Sequence, residues 1–202
     1  MNLNNIKLYK KGKRGIVYTA FLNDKKVAVK EKNPDSEAVG KIRNEAEFLK
    51  RLNKNKIGPE LYDYDKNNNR IIMEFIEGIP IIEYFEENDK KEILKVIEKT
   101  LKKLRTLDKT GINKEELTNP YKHIIIQGNN PRLIDFERCS FTEKPKNVTQ
   151  FLQFLTSKNI KKILSRKGID LEKKKIIELS KTYKKTNSKK DFDNVLDYLN
   201  KN

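Results

Sequence analysis

The sequence predicts an α+β protein with a strand-rich first part and a mostly helical second part. β-branched and aromatic residues recur in the first third of the chain, whereas apolar residues after Pro145 recur every three or four positions. The short turn at Glu77-Gly78 separates the two patterns. We therefore expect an N-terminal lobe of residues 1–77 and a C-terminal lobe of residues 78–202.

The N-terminal lobe is predicted to form a small antiparallel sheet with one helix. Asn23-Asp24 and Asn67-Asn68-Asn69 are turn residues that would close two hairpins. Start signals at Asn33-Pro34-Asp35-Ser36 and a stop at Ile57-Gly58-Pro59 bound the helix. Its apolar stripe comprises Ala38, Ile42, Ala46, Leu49 and Leu52. The five predicted strands are residues 6–9, 16–22, 26–30, 61–64 and 70–76.

The C-terminal lobe is predicted to be helical apart from one hairpin. Asp89 and Glu92 match a capping box for a helix that Gly111 ends. The hairpin turns at Gly128-Asn129-Asn130 and carries Asp135 near the end of its second strand. Its strands are residues 123–127 and 132–136, and the four later helices are residues 148–156, 158–164, 171–183 and 192–199.

Composition excludes several classes of protein. No run of 18 apolar residues exists, so no membrane span is expected. The single Cys139 excludes an internal disulfide, and the single His123 excludes a multi-histidine zinc site. The N-terminal residues lack the apolar segment of a secretion signal. We therefore expect a cytoplasmic protein.

The net charge of +16 is concentrated in the last part of the chain. Residues 144–202 contain 16 Lys and Arg against six Asp and Glu, a net charge of +10. Such a field attracts polyanions, RNA among them, although no aromatic residues are interleaved with the lysines for reading bases. The alternative is a solvated lysine surface. We expect at most weak, non-specific RNA binding.

Several segments carry residues that suit a phosphate-bearing ligand. Glycines in the turn Gly12-Lys13-Arg14-Gly15 let backbone N–H groups approach a phosphate, although they also suit an ordinary hairpin. Lys30 ends the apolar segment Val27-Ala28-Val29 and either needs a carboxylate or phosphate partner or reaches solvent. Glu45 lies beside core-facing Ala46 and either faces the sheet or is exposed. Asp135 either caps a turn or binds a cation.

In order along the chain, these segments resemble the eukaryotic-like protein kinase superfamily. The similarity covers residues 8–155 and is greatest to small archaeal predicted Ser/Thr kinases near the RIO-type and lipopolysaccharide-kinase branches. It implies a bilobal kinase-like fold with a reduced, mostly helical C-terminal lobe, ATP and Mg²⁺ as ligands, and a protein substrate. The motifs that carry it are the glycine turn, Ala28-Val29-Lys30, Glu45, Met73-Glu74-Phe75-Ile76-Glu77-Gly78 and Ile134-Asp135-Phe136.

The resemblance assigns roles to individual residues. The backbone around Gly12 and Gly15 would cover the phosphates, and Lys30 would hold the α- and β-phosphates and pair with Glu45. Asp135 would bind a Mg²⁺ ion that bridges the β- and γ-phosphates. The adenine site would comprise Val17 over the ring, Met73 behind it, and the backbone of Glu74 and Ile76 along its edge.

The sequence departs from the family pattern in the catalytic loop and in the segment that begins at Asp135. Glu116-Leu117 stands where the family has a catalytic Asp, and His123 occupies the place of its metal-binding Asn, seven residues after Glu116 instead of five. Glu116 would accept the proton of the acceptor hydroxyl or orient that hydroxyl. His123 would either bind metal or phosphate or have only a structural role. Asp135-Phe136-Glu137 replaces Asp-Phe-Gly, and no long activation segment follows.

Three functions fit these observations. The leading interpretation is an ATP-dependent Ser/Thr protein kinase that transfers the γ-phosphoryl group to a hydroxyl. The second is an ATP-binding pseudokinase or nucleotide-regulated scaffold, which Glu116 and the shifted His123 suggest. The third is a basic module that binds RNA through the C-terminal part of the chain.

Overall fold

The computed structural model describes residues 2–37 and 39–202. The chain divides into two compact units. The first extends to Glu77 and also contains Arg132–Cys139, whereas the second consists of Gly78–Pro131 and Ser140–Asn202. The division after Glu77 is where the sequence pattern changes, but the sequence assigned residues 132–139 to the C-terminal lobe.

The described residues form both strands and helices, so the predicted α+β fold class is confirmed. The strands are β1 (Asn4–Lys11), β2 (Gly15–Leu22), β3 (Lys25–Lys32), β4 (Leu61–Asp65), β5 (Arg70–Glu74), β6 (Ile79–Pro80), β7 (Ile112–Asn113), β8 (Ile124–Gln127), β9 (Asn130–Leu133) and β10 (Ser140–Phe141). The α-helices are α1 (Lys41–Leu52), α2 (Ile81–Glu87), α3 (Lys90–Lys109), α4 (Asn147–Leu155), α5 (Lys158–Arg166), α6 (Lys173–Thr186) and α7 (Lys189–Asn200).

The first unit is built on a five-stranded antiparallel sheet. The strand order is β1-β2-β3-β5-β4. Both predicted turns are confirmed: Asn23 and Asp24 have positive φ, as a tight hairpin turn of this kind requires, and Asn69 does in the second hairpin. Helix α1 packs on this sheet through buried apolar residues that include Ile42, Ala46 and Leu49.

Helix α1 begins later than the sequence predicts. Asn33 Oδ1 accepts a hydrogen bond from the N–H of Asp35, and its backbone oxygen accepts one from Ser36, so residues 33–36 form a turn. The helix begins at Lys41, after Gly40 with a φ of 70°. Ala38, which the sequence placed in the apolar stripe, lies outside the described residues.

Two predicted strands end earlier than expected. The strand predicted over residues 70–76 ends at Glu74, which leaves Ile76 beyond it. The strand predicted over residues 132–136 is Asn130–Leu133, because the chain turns at Asp135 with a φ of 64°. A left-handed residue cannot continue a strand, so Asp135 lies in an irregular segment.

The second unit is mostly helical, as predicted, and contains one further helix. Asp89 caps α3 by accepting a hydrogen bond from Glu92 N at 2.9 Å, as the sequence indicated. Helix α2 was missed because it spans seven residues and begins after Pro80 without a capping side chain. Its buried Ile81, Tyr84 and Phe85 have the spacing of one helix face.

A buried polar network ties the helices of the second unit together. The carboxylate of Asp108 accepts hydrogen bonds from the side chain and backbone of Asn147, from Val148 N and from the hydroxyl of Tyr183. Burial raises the pKa of Asp108, although these hydrogen bonds oppose the shift. Asp108 therefore joins α3, α4 and α6.

Among the described residues, no helix combines the length and the apolar character needed to cross a lipid bilayer.

Candidate functional site

Lys30 lies in β3 with its side chain inside the first unit. Val27 and Val29 belong to an apolar cluster with Ala20 and Ile72 on one face of the sheet. Because side chains alternate along a strand, Ala28 and Lys30 point to the opposite face. Lys30 is 7% exposed. The alternative of a strand-end lysine that reaches solvent is therefore wrong.

Three carboxylates surround the Lys30 ammonium. Its Nζ lies 2.6 Å from Glu45 Oε2, 3.0 Å from Asp135 Oδ1 and 3.1 Å from Glu137 Oε2. Glu45 is fully buried, and Glu137 is 7% exposed. A buried carboxylate without a partner is strongly destabilising, so Lys30 stabilises the ionised form of both glutamates.

The pKa values of the central pair reflect burial and mutual attraction. Burial alone would lower the pKa of Lys30, but attraction to Glu45, Asp135 and Glu137 outweighs it and raises this pKa above the usual value for lysine. Complete burial raises the pKa of Glu45, although Lys30 opposes that shift. Lys30 therefore remains a cation throughout the neutral pH range.

Helix α1 holds the segment that carries Asp135 and Glu137. Glu45 Oε1 accepts a hydrogen bond from the N–H of Phe136 at 3.0 Å. The neighbouring Asn44 donates to the backbone oxygens of Glu137 and Cys139, both at 3.0 Å. Two consecutive residues of one helix thus fix the backbone on both sides of Glu137.

The same segment is anchored by a buried aromatic ring. Phe136 is completely buried and lies against Gly58, where an added Cβ would come within 2.7 Å of the ring. Gly58 therefore permits the close approach of the ring. Asp135, which precedes Phe136, adopts a left-handed conformation that directs its carboxylate to Lys30.

The glycine turn is closed by its own backbone and by Asn33. Gly12 N donates to Gly15 O at 2.9 Å. The side-chain amide of buried Asn33 donates to Gly12 O at 2.9 Å, and its backbone N–H donates to Arg14 O at 2.9 Å. The conformation of the turn is therefore fixed by hydrogen bonds within the first unit.

This turn lies directly beside Lys30. A Cβ on Gly15 would be 3.1 Å from Lys30 Cε and 3.2 Å from Glu31 O, so glycine allows the backbone to approach the lysine closely. Arg14 Nη1 lies 3.5 Å from Glu137 Oε1. Glu137 thus contacts cations from both the turn and β3.

The residues predicted to bind adenine lie on β2 and β5 and just after β5. Val17 is paired with Lys30 across the sheet, and buried Met73 is paired with Ala28. The N–H of Glu74 donates to Glu60 O at 2.8 Å, so this N–H is already engaged within the first unit. The Glu74 side chain forms an ion pair with Arg132. Ile76 is half-buried beyond the strand.

Three carboxylates of this site lie close enough together to hold a metal ion. One oxygen from each of Glu45, Asp135 and Glu137 falls within 4.8 Å of the others. Carboxylate oxygens are the ligands that Mg²⁺ favours. Lys30 and Arg14 offset two of the three negative charges when all three carboxylates are ionised, and a bound cation would balance the remaining one.

Glu116, the predicted catalytic carboxylate, and His123, a predicted metal ligand, both lie in the second unit. His123 Nε2 is 3.2 Å from Glu116 Oε2. Glu116 has a φ of 73°, and the following Leu117 is completely buried, so the loop is fixed at this point. Metal binding by His123 stays a prediction, since the contact that the structure gives its Nε2 is with a carboxylate.

Comparison with known proteins relates the chain to an archaeal protein. No known family model matches it. It is similar to a protein of Methanocaldococcus jannaschii that carries the name uncharacterized protein MJ1211. The two are 35% identical over 118 residues, which is 99% of that protein and 56% of this chain. The chain belongs to the MJ1211 family.

The name of the MJ1211 family states no activity, so the roles of individual residues rest on geometry. Sequence reasoning missed two residues of the site in this family member. Glu137 was treated as a departure from glycine, although a carboxylate two residues after Asp135 can reach the same cation. Asn33 was taken for a helix start signal, because an Asn that caps a helix and one that closes a turn look alike in sequence.

Proposed function

We propose that this chain is a cytoplasmic ATP-dependent phosphotransferase that transfers the γ-phosphoryl group of Mg-ATP to a hydroxyl, with Ser or Thr of a protein as the acceptor. The observation that carries the proposal is the 2.6 Å ion pair between Lys30 and buried Glu45, beside Asp135. Phosphoryl transfer is catalysed mainly by positioning and charge neutralisation. A lysine held in place by a buried carboxylate suits that task.

Residues of the first unit would bind and orient the nucleotide. The Lys30 ammonium would bind α- and β-phosphate oxygens, and Glu45 would keep it in position. Backbone N–H groups of the turn from Gly12 to Gly15 would approach the phosphates, apart from that of Gly12, which donates to Gly15 O. Asp135 would hold Mg²⁺, which neutralises charge on the β- and γ-phosphates when bound.

The transfer itself would make one phosphorus–oxygen bond and break another. The acceptor hydroxyl oxygen bonds to the γ-phosphorus, and the bond from that phosphorus to the β–γ bridging oxygen breaks, which releases ADP. Glu116 would accept the hydroxyl proton or orient the hydroxyl. His123, 3.2 Å away, would keep the Glu116 carboxylate in position.

Calorimetry and thermal unfolding with Mg-ATP test nucleotide binding. Binding should stabilise the native state by about 2.7 kcal/mol at a hundredfold excess of ligand over Kd. Asp135→Asn retains the shape of the side chain and tolerates the left-handed backbone, yet removes the metal-binding charge. It should abolish most of the stabilisation, as should Lys30→Met. Lys25→Met, on the exposed start of β3, is the matched control.

The result of that experiment decides the central claim. If Mg-ATP fails to stabilise the wild-type protein, or stabilises Asp135→Asn equally, the proposed nucleotide site is wrong. Circular dichroism of each variant separates loss of binding from loss of folding. Asp135 is partly exposed, so its variant has the better prospect of folding normally.

Glu116→Gln should reduce phosphate transfer by roughly a hundredfold or more and leave ATP affinity nearly unchanged. The amide retains the size of the side chain but cannot accept the proton. Transfer of labelled γ-phosphate to protein acceptors, measured beside Glu115→Gln as the control, gives the comparison. Equal turnover in both variants would remove Glu116 from the mechanism.

A second candidate function is an ATP-binding pseudokinase. The observation that favours it is the contact between Glu116 and His123, which engages the carboxylate expected to act on the acceptor. This alternative predicts Mg-ATP binding that requires Asp135, with no phosphate transfer above the rate in buffer. Binding and turnover measured on the same preparation separate the two functions.

A further inference from the structure

The second unit contains a groove between α4 and α6 that is rich in lysine. Its volume is about 480 Å³, which is within the range of ligand sites. Four of its lining side chains are Lys146, Lys173, Lys181 and Lys184, and the remaining ones are neutral. We call it the basic groove. None of these four lysines forms an ion pair within the residues that the structure describes.

The packing of α6 does not explain why three lysines lie on one of its faces. On α6, Lys173, Lys181 and Lys184 are separated by eight and three positions, which places them on one face of the helix. The helix packs through buried Ile176 and Tyr183, and Tyr183 lies outside the groove. Uncompensated like charges on one face repel one another. An anionic ligand would relieve that repulsion.

The groove is longer than a single phosphate group. Its lining residues on α6 extend from Lys173 to Lys184, a separation of eleven residues that corresponds to about 16 Å of helix. An extended peptide covers about 3.3 Å per residue, so about five residues would lie along it. The lining includes no aromatic side chain on which a nucleic-acid base could stack.

A buried acceptor on Gln150 favours an anion that also carries hydrogen-bond donors. This residue lines the groove, and its Oε1 is buried and accepts no hydrogen bond within the described part of the chain. A buried acceptor is stabilised by a donor. A polyphosphate chain brings chiefly acceptors, whereas every residue of a peptide other than proline brings an N–H group.

We propose that the basic groove binds an extended acidic peptide segment of a partner protein. Its carboxylates lie against the four lysines, and one of its backbone N–H groups donates to Gln150 Oε1. The proposal is independent of the nucleotide site, because every residue that lines the groove belongs to the second unit.

Fluorescence anisotropy with a short labelled peptide of alternating Glu and Gly tests the proposal on the full chain. The double change Lys173→Glu and Lys184→Glu reverses two charges inside the groove. Lys174→Glu and Lys185→Glu make the same change, with the same spacing, on exposed residues of α6 outside the groove. The first variant should weaken binding by about tenfold or more, and the second by about threefold or less.

A variant of Gln150, a control peptide and a competition measurement complete the test. Gln150→Leu should weaken binding of the peptide but not of inorganic polyphosphate, since polyphosphate offers no N–H donor. A peptide with Gln in place of Glu should not bind.

Equal losses in the two double variants would mean a diffuse charge effect and overturn the proposal. Tighter competition by polyphosphate or by single-stranded RNA than by unlabelled peptide would also overturn it.

Discussion

Glu137 follows directly after buried Phe136, and its carboxylate lies 3.1 Å from Lys30 Nζ. That position makes it a competitor for any phosphate that Lys30 binds. It also makes it a candidate partner of Asp135 in holding a cation. The residue therefore links phosphate binding and metal binding at one lysine.

Glu137→Gln should strengthen binding of metal-free ATP by about tenfold, because one negative charge beside Lys30 disappears. The same change should weaken the dependence of ATP binding on Mg²⁺. Titration calorimetry with and without Mg²⁺ measures both effects. Glu47→Gln, on the exposed side of α1, is the control. Unchanged metal-free affinity in Glu137→Gln would show that its carboxylate does not oppose the nucleotide.

At the scale of single residues, the sequence predicted part of the site. The resemblance to a known family predicted that Lys30, Glu45 and Asp135 share one site. In the structure, both carboxylates lie within 3.0 Å of Lys30 Nζ. Their roles towards ATP stay predictions. The positive φ of Asp135 was not predictable, since nothing in a single sequence specifies a left-handed aspartate between two apolar residues.

Among the elements, those with strong local signals were predicted best. The hairpin at Asn23-Asp24 and the cap of α3 at Asp89 each rest on neighbouring residues alone. The start of α1 was wrong because Asn33 bonds both to its own turn and to the distant Gly12, which a local pattern cannot reveal. Tertiary hydrogen bonds decided that boundary.

Helix α7 provides a test of pH dependence. The Asp191 carboxylate accepts hydrogen bonds from the hydroxyls of Thr186 and Ser188, and these lower its pKa. Because the folded pKa is depressed, this stabilisation is present above the usual pKa of aspartate and is lost as pH falls towards the lowered value. Asp191→Asn should therefore be less stable than wild type near neutral pH, and the difference should shrink at acidic pH.

Urea unfolding of both proteins across this pH range measures the difference, with Asp193→Asn as the control on the same helix. Buried Asp108 has a raised pKa, so its contribution to stability changes with pH in the opposite direction to that of Asp191. That contribution is the same in both proteins and cancels from the difference. A stability difference that stays constant from neutral to acidic pH would contradict the role given to Asp191.

For the whole molecule, the net charge of +16 predicts attraction to polyanions. We expect single-stranded RNA to bind with a micromolar or weaker Kd and with no preference for sequence, since the attraction is electrostatic. The affinity should fall steeply as salt rises from low to physiological concentration. Filter binding across that range gives the slope. Tight binding that persists at physiological salt would make RNA the principal partner of the basic residues in the segment 144–202.

Arg132–Cys139 belong to the first unit although part of the second unit precedes them in the chain. This order affects how the first unit folds during synthesis on the ribosome. Residues 1–77 are synthesised well before this segment, and at about 5–20 residues per second the delay lasts about 3 to 12 seconds. During that interval the nascent sheet and α1 have neither Phe136 to cover Gly58 nor Asp135 beside Lys30. The first unit is therefore completed late, and its apolar surface is open to chaperones until residue 139 has been released.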